Sequence, residues 1–396
     1  MAPVIDLGSL GFGEGAHLLL KRALRAAGVG DCLTVTGSAP DLETDLRAWC
    51  RVEGHHVQTA GGEIVIRKGG AEEARWAGAE RAGDADFSQK GAVRDFPSPR
   101  WGLAARGALV EEGAPEFHFS LSAKDEVWSD DAARLYAQAV AAQWDPAAAI
   151  PWEAGFELPE EVEDAVVQVM TYLIENETAA LIVPSRFIAR LHPHFREVMQ
   201  LLAVQAADEA RHIEVFTRRA LLRRSRLGLS TTGGQASLKT LVEEPDFAIA
   251  SFLLSVLGEG TFLSLLRFLE LHAPDPVTSA VARLAAQDEA RHVAFGMAHL
   301  RRHAQADASL LPRLAAAIRR RHDALQSTSG LNAEVFDALL LLAAGAWDTE
   351  SIRHGHLRLM ELTAEMQRGR EQRLVRLGFG EKEAEDLAAL HTRNFM

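Results

Sequence analysis

The sequence predicts a mainly α-helical protein built around a four-helix bundle, with extra C-terminal helices and a small α+β domain before it. The main observation is a repeat. The segment Asp-Glu-Ala-Arg-His occupies residues 208–212 and again residues 288–292, and each copy follows a lone glutamate on an apolar segment, Glu177 or Glu259. Two helices that each supply a Glu and a His, facing two that each supply one Glu, form a closed ligand set inside a bundle.

The first 68 residues predict a compact α+β domain. Short runs rich in β-branched residues alternate with two amphipathic segments that end at glycines. The expected order is strand, helix, strand, helix, strand, strand, with a hairpin across Gly61 and Gly62 joining the last two strands. Residues 69–125 contain much Ala, Gly, Glu and Arg with weak periodicity, which is typical of a linker or a wrapping segment. The third part, residues 126–396, is predicted to be helical.

The helical part is expected to contain the bundle at residues 159–304, with one long connection at 225–244 between its halves. Pro184 is expected to help end the first bundle helix, because a proline inside a helix removes a backbone hydrogen bond. Helices beyond residue 305 are expected to pack on the bundle, close one end of its cavity and offer a face for a homodimer. The predicted helices are roughly 131–143, 159–183, 194–224, 245–272, 276–304, 309–327, 333–346 and a long helical tail.

Composition and charge exclude several classes of function. The net charge is −13, whereas a binder of nucleic acid or anionic membranes needs concentrated Lys and Arg. Only Cys32 and Cys50 are present, which excludes a disulfide scaffold and suits a reducing compartment. No segment reads as a signal peptide or a membrane span, and neither a dinucleotide fingerprint nor a Gly-x-Ser-x-Gly elbow occurs. We therefore expect a cytoplasmic protein with no nucleic-acid or membrane partner.

Four glutamates and two histidines form the candidate metal site. A Glu and a His three residues apart lie on the same side of a helix, so each repeat offers both to one centre. Glu177 is in register with apolar residues of its segment whereas Glu175 is not, and Glu259 also lies on an apolar stripe. One such charged segment alone is more often a surface salt-bridge run, but two copies, each preceded by an apolar-face glutamate, favour a metal site. The expected catalytic and metal-binding residues are Glu177, Glu209, His212, Glu259, Glu289 and His292.

The donor types and the neighbouring residues extend this prediction. Carboxylates with two imidazoles suit iron or manganese better than zinc or copper, and both an Fe/Fe and a Mn/Fe pair are open. Asp208 and Asp288 are each expected to accept a hydrogen bond from the histidine of the opposite helix, while Arg211 and Arg291 neutralise those aspartates. Apolar side chains are expected to shape a pocket for a small organic substrate, namely Phe216, Phe252, Phe262 and Leu263.

Residues 159–304 resemble the ferritin-like diiron-carboxylate superfamily, in particular its oxygen-activating members. Residues 176–180 (Asn-Glu-Thr-Ala-Ala) and 258–262 (Gly-Glu-Gly-Thr-Phe) look like the single-Glu helices of bacterial multicomponent monooxygenases and related N-oxygenases. Residues 143–146 (Gln-Trp-Asp-Pro) are similar to the segment that leads into the bundle of such enzymes. The resemblance implies a non-haem diiron oxygenase or oxidase that uses O₂ to hydroxylate or N-oxygenate a small organic substrate. It also implies an electron donor, a ferredoxin or a flavin reductase.

The N-terminal domain is similar to the small sulfur carriers known as TusA-like proteins, over about 65 residues and on the residues of its two helices, 18–24 and 45–50. The family's Cys-Pro-x-Pro would fall at residues 13–16, which read Gly-Glu-Gly-Ala. Persulfide transfer is therefore not expected, and Cys50 is expected to be a small core residue. The resemblance implies a degenerate module that serves docking, gating or dimerisation.

Two alternatives remain open from the sequence. The same six ligands would serve a rubrerythrin- or ferritin-like peroxidase or iron-oxidising protein that acts on no organic substrate. The chain could also be a non-catalytic partner subunit of a sulfur-transfer or oxygenase complex, although a scaffold gains nothing from six buried polar groups. The metal content separates the second alternative from an enzyme, and O₂ consumption with and without an organic substrate separates the first.

Overall fold

The computed structural model of the protein describes residues 3–60, 63–70, 76–325 and 333–390. The chain divides into two compact units. The first comprises residues 1–92 and 104–117, and the second comprises residues 93–103 and 118–396. The segment expected to be a linker, 69–125, is thus divided between the two units.

The first unit contains a four-stranded mixed sheet and two helices in the predicted order. Its elements are β1 (Val4–Asp6), α1 (Ala16–Ala26), β2 (Cys32–Thr36), α2 (Leu42–Glu53), β3 (His56–Ala60) and β4 (Glu63–Arg67). The sheet order is β1-β2-β4-β3, in which β1 and β2 are parallel and the other pairs antiparallel. The predicted turn at Gly61 and Gly62 lies outside the described residues. A short antiparallel pair, β5 (Glu80–Arg81) with β6 (Leu109–Val110), completes the unit.

One apolar core holds this small sheet and its helices together. Leu20 and Leu24 of α1, Leu46 and Cys50 of α2, and Ile66 of β4 are each almost fully buried in it. Cys50 is a core residue, and burial raises the pKa of its thiol to about 12. A thiol in that state is chemically inert near neutral pH, which agrees with the expected packing role. The order of elements confirms the predicted α+β fold, whereas the sulfur-carrier resemblance stays a prediction.

The second unit is helical, as predicted. Two one-turn 3-10 helices occur at Pro99–Trp101 and Pro193–Phe195. The helices are α3 (Lys124–Val127), α4 (Ala132–Ala141), α5 (Glu160–Ile188), α6 (Arg196–Ala220), α7 (Thr232–Val242), α8 (Phe247–Ser251), a π-helical segment (Phe252–Glu259), α9 (Gly260–Leu271), α10 (Pro276–Ala306), α11 (Leu310–Leu325), α12 (Ala333–Ala344), α13 (Thr349–Leu377) and α14 (Glu381–Ala389).

One local prediction was wrong. Pro184 lies inside α5, which continues to Ile188. Val183 and Phe187, on either side of the proline, are buried in the core, so tertiary packing compensates for the backbone hydrogen bond that the proline removes. The connection at 225–244 contains a helix of its own, α7, with Thr231 as its N-cap.

Four helical segments form the bundle. α5 packs against α6, and the continuous run of α8, the π-helical segment and α9 packs against α10. The two pairs meet where α6 contacts α10, while α12 and α13 cover α5 and α9 from outside. Residues 160–188 and 247–271 are long and apolar enough to cross a membrane, but most of each is buried inside the protein. They are core helices, and their apolar surface explains why a carboxylate on either one is costly unless it is paired.

Candidate metal centre

The six predicted ligands meet at the centre of the bundle. Glu177 comes from α5, Glu209 and His212 from α6, Glu259 from the end of the π-helical segment, and Glu289 and His292 from α10. Each is at most 4% exposed. Glu175 is only partly buried, so Glu177 is the inward residue of that pair, as the apolar register indicated.

The His212 ring faces three carboxylates through one nitrogen. Its Nδ1 lies 3.2 Å from Glu209 Oε2, 3.3 Å from Glu289 Oε1 and 3.8 Å from Glu177 Oε2. One nitrogen cannot donate to three oxygens at once. A cation placed among these atoms could instead be shared by all four residues.

The His292 ring has a matching arrangement on the other side of the centre. Its Nδ1 lies 3.1 Å from Glu209 Oε1, 3.3 Å from Glu289 Oε2 and 3.9 Å from Glu259 Oε1. Glu209 and Glu289 therefore present one oxygen to each histidine. This two-fold pattern follows from the sequence repeat, since equivalent residues of α6 and α10 face each other across the bundle.

Two groups of donor atoms can each hold a metal ion. Within each group the ligand atoms lie within 4.8 Å of one another, and Glu209 and Glu289 belong to both. Glu209 and Glu289 could therefore bind both ions. Glu177 and His212 would complete the ligands of one ion, and Glu259 and His292 those of the other. Two divalent cations would also balance the charge of the four carboxylates, with both imidazoles neutral. The residues therefore fit a dinuclear centre.

Unpartnered atoms support the same conclusion. Within the described part of the chain, five buried carboxylate oxygens of these glutamates have no hydrogen-bond partner: Glu177 Oε1, Glu209 Oε1, Glu259 Oε2, Glu289 Oε1 and Glu289 Oε2. His292 Nδ1 is close to carboxylates but is also without a hydrogen bond of proper geometry. Buried polar atoms are nearly always satisfied in native proteins, and a bound ion is a common partner for those that lack a protein hydrogen bond.

The pKa values of Glu177, His212 and Glu259 depend strongly on the neighbouring ligand residues. Burial, followed by repulsion from Glu289, raises the pKa of both Glu177 and Glu259 well above the ordinary value. Burial alone would lower the pKa of His212, but hydrogen bonds that Asp288 and the glutamates accept from its ring outweigh burial and raise that pKa well above the usual range. Without metal, the site thus retains protons on its imidazoles and its outer carboxylates. Metal binding must displace those protons.

Each histidine is oriented by an aspartate of the opposite helix, as predicted. His212 Nε2 lies 3.1 Å from Asp288 Oδ2, and His292 Nε2 lies 3.3 Å from Asp208 Oδ2. Such a partner directs the other ring nitrogen at the metal and makes it a stronger ligand. Arg211 contacts both aspartates, through Nη2 at 2.8 Å from Asp288 Oδ2 and at 2.5 Å from Asp208 Oδ1. Arg291 also bonds Asp288.

The segment after α4 contributes two residues whose roles the sequence did not indicate. Gln143 donates from Nε2 to Asp208 Oδ1 at 2.7 Å, and Trp144 donates from Nε1 to Asp288 Oδ2 at 2.8 Å. The Arg211 guanidinium lies 4.6 Å from the centroid of the Trp144 ring. Both aspartates are therefore held by side chains from a third part of the chain. The resemblance of residues 143–146 to the segment that leads into the bundle was the available signal.

The π-helical segment positions Glu259 and was not predicted. Such segments interrupt α-helices mostly as short bulges and are frequent at functional sites. Gly296 of α10 permits the close approach of this segment, because a Cβ there would lie 2.6 Å from Ser255 Cβ. Gln205, one turn before Glu209 on α6, donates from Nε2 to Glu259 Oε1 at 3.0 Å. Gln205 is 3% exposed, and this buried hydrogen bond fixes one oxygen of that glutamate.

The predicted substrate-pocket residues lie in several places. Phe216 is buried, with its ring centroid 6.2 Å from that of His212. Phe262 is buried beside Tyr172, and Phe252 is buried in the cluster that contains Phe187 and Phe295. Leu263 is partly exposed. Of these four residues, Phe216 is the one whose ring lies beside a candidate ligand, His212. The substrate pocket stays a prediction.

His299 could line the cavity, pack in the core or face solvent, as far as the sequence goes. The structure shows that it is packed. Its side chain is fully buried, stacked on Phe295 with ring centroids 5.5 Å apart and 5.1 Å from Phe247. Burial, followed by the charge of His303, lowers its pKa to about 3.

The sequence matches no protein-family model and no curated protein. Among solved structures, a tyrosine-to-phenylalanine variant of an R2-like ligand-binding oxidase with an aerobically reconstituted Mn/Fe cofactor is 17% identical, with a TM-score of 0.46. The match covers 63% of this chain and 94% of that one. The same kind of oxidase with a metal cofactor after photoconversion is 17% identical, with a TM-score of 0.43, over 66% of this chain and 90% of that one. Likenesses this distant carry no information about chemistry, which therefore rests on the geometry of the site.

Proposed function

We propose that the protein is a dinuclear metal oxidase or oxygenase that uses O₂ to oxidise a small organic substrate. The observation that carries the proposal is the pair of overlapping donor groups, which share Glu209 and Glu289 and leave buried carboxylate oxygens unpartnered. Oxygen-rich ligation with one imidazole at each position favours iron or manganese. Two such ions, when bound, would supply the redox chemistry and the binding of O₂.

The chain's own residues would hold, orient and shield this centre. The six ligands hold the ions, and Asp208 and Asp288 fix both imidazole rings through their Nε2 atoms. Phe216 lies beside His212 and belongs to one buried apolar cluster with residues of α5 and α9, and such a cluster would limit the access of water to the ligands. A site from which water is excluded strengthens every electrostatic interaction inside it and protects reactive species from side reactions.

The proposal includes a substrate and an electron donor. A small, largely apolar organic compound, oxidised at carbon or nitrogen, would suit the Phe216 ring beside His212. Reduction of the metals before each turnover requires a donor, for which we propose a ferredoxin or a flavin reductase. An iron-oxidising or peroxidase function would use the same ligands without an organic substrate, so the experiment must separate the two.

The first test is metal stoichiometry. The purified protein is made metal-free, loaded anaerobically with Fe(II) alone or with Mn(II) and Fe(II), desalted and analysed for metal. We expect close to two metal ions per chain in the unmodified protein and a large loss in Glu177→Ala. Glu175→Ala is the matched control, since it removes a carboxylate from the same helix two residues away and should retain full metal content. Equal metal content in both variants would overturn the proposed centre.

The second test is O₂ consumption by the reduced, loaded protein with and without organic compounds. Consumption coupled to an oxidised organic product supports the oxygenase or oxidase. Consumption only in proportion to added Fe(II), with no organic product from a screen of aromatic compounds and amines, would instead indicate an iron-oxidising protein. Loaded protein that consumes no O₂ would contradict both.

A further inference from the structure

α13, outside the bundle, carries two arginines whose charge is unusually placed. Arg370 is 5% exposed, and its Nε has no hydrogen-bond partner within the described ranges. Arg373, one turn later, donates from Nε to the backbone oxygen of Val256 at 2.7 Å. Its Nη2 lies 3.5 Å from Thr261 Oγ1. α13 thus places the Arg373 guanidinium against the π-helical segment, with Arg370 one turn earlier on the same helix.

Neither guanidinium has an acidic partner in the part of the chain that the structure describes. Burial lowers the pKa of Arg370 to about 10, and burial with repulsion from Arg370 does the same to Arg373. Arg219 shows how the same fold treats another buried arginine. It pairs with Glu163 at 2.6 Å and with Asp275 at 2.7 Å. A buried charge without a counter-charge is costly, so Arg370 and Arg373 require another explanation than core packing.

Two glycines allow the Arg373 guanidinium to lie against the backbone. A Cβ at Gly260 would be 2.5 Å from Arg373 Nε, and a Cβ at Gly369 would be 3.1 Å from its Nη1. Gly260 directly follows Glu259 in the chain. The arginine therefore contacts the backbone on both sides of Glu259, at Val256 and at Gly260.

We propose that Arg370 and Arg373 form a buried binding site for an oxyanion, either a carboxylate or a phosphate group. Guanidinium groups bind both through paired, charge-assisted N–H···O bonds. One bound oxyanion would neutralise the unpaired charge of Arg370 and the repulsion between the two side chains. This site is separate from the six metal ligands and does not depend on the proposed oxidation chemistry.

The test measures thermal unfolding of the full-length, metal-loaded protein at constant ionic strength, with chloride replaced stepwise by inorganic phosphate or by hexanoate. A ligand that binds only the folded state raises Tm as its concentration passes its Kd. We expect a saturable rise in Tm, with at least tenfold weaker binding in Arg370→Met. Arg368→Met is the control, since Arg368 is exposed on the same helix and its loss should leave the affinity unchanged.

The two probes distinguish the source of the anion. A response to phosphate indicates a phosphate site, a response to hexanoate alone indicates a carboxylate on an organic molecule, and a response to both indicates a general oxyanion site. In the absence of either anion, Arg370→Met should retain or raise Tm, because it removes an uncompensated charge. If Arg370→Met does not fold, Arg370→Lys keeps the charge, loses the planar fork and should still bind more weakly. No saturable response beyond that to chloride, or an equal response in the Arg370 variants, would overturn the site.

Discussion

His299 gives a prediction whose sign and size follow from its surroundings. The imidazole is fully buried between Phe295 and Phe247, and neither ring nitrogen has a hydrogen-bond partner among the described residues. Burial lowers its pKa from 6.5 to about 3. The unfolded chain therefore takes up a proton on this histidine as the pH falls through 6.5, while the folded protein does not.

Protonation of His299 in the unfolded chain lowers the free energy of unfolding as the pH falls. The contribution of neutral His299 to the free energy of unfolding is fully present above the unfolded pKa of 6.5. It is lost progressively as the pH falls towards the folded pKa of about 3. At pH 5 the unfolded state has gained about 1.5 pKa units of protonation free energy at about 1.4 kcal/mol each, or about 2 kcal/mol. Replacing His299 with Phe removes this term and keeps an aromatic ring in the stack.

The assay is denaturant unfolding of the metal-loaded protein at several pH values between 7 and 5. The free energy of unfolding of the unmodified protein should fall by about 2 kcal/mol more than that of His299→Phe over this range. His354→Phe is the control, because His354 is exposed and its replacement should not change the pH dependence. The difference between variants cancels the titration of the metal ligands. A constant difference between the unmodified protein and His299→Phe across the range would refute the reasoning.

Three further predictions concern the metal centre. Asp288→Ala removes the acceptor of His212 Nε2 and of Trp144 Nε1, and metal affinity measured by competition with a chelator should fall about 10- to 100-fold; an unchanged affinity would show that the aspartate does not orient the ligand. Gln205→Leu removes the donor to Glu259 Oε1, so it should change the visible spectrum and the redox potential of the loaded centre. The metal content should stay near that of the unmodified protein. An unaltered spectrum and potential would contradict a positioning role for Gln205. Removing the metals should lower Tm, because each bound ion contributes about 3 kcal/mol of stability when the free metal is at 100 times its Kd for that site. The loss should vanish in Glu177→Ala if that variant no longer binds metal.

The sequence alone predicted the bundle and the six candidate ligands that the structure brings together. Helical periodicity places Glu177 rather than Glu175 on the apolar face, and the three-residue spacing puts Glu209 with His212 and Glu289 with His292. These are properties of a single helix, which is why they can be read without the tertiary structure. The cross-bundle pairing of the aspartates with the histidines followed from the repeat, since two equivalent helices that face each other exchange equivalent contacts.

The sequence could not predict features that depend on contacts between distant segments. α5 continues past Pro184 because buried neighbours hold it, against the local preference of proline. Similarly, the π-helical segment lies close to α10 at Gly296 and accepts a hydrogen bond from Arg373 at Val256. Contacts of this kind leave no periodic signal in the segment itself.

The chain by itself determined which residue types could bind metal and on which helix face each lies, because a helix repeats its geometry every few residues. Only the tertiary structure decided that Glu209 and Glu289 are shared between two positions, that Gln143 and Trp144 hold the aspartates, and that Arg370 has no acidic partner among the described residues. The physical reason is that each of these facts concerns distances between helices. Such distances are set by the packing of the whole core, to which every segment contributes.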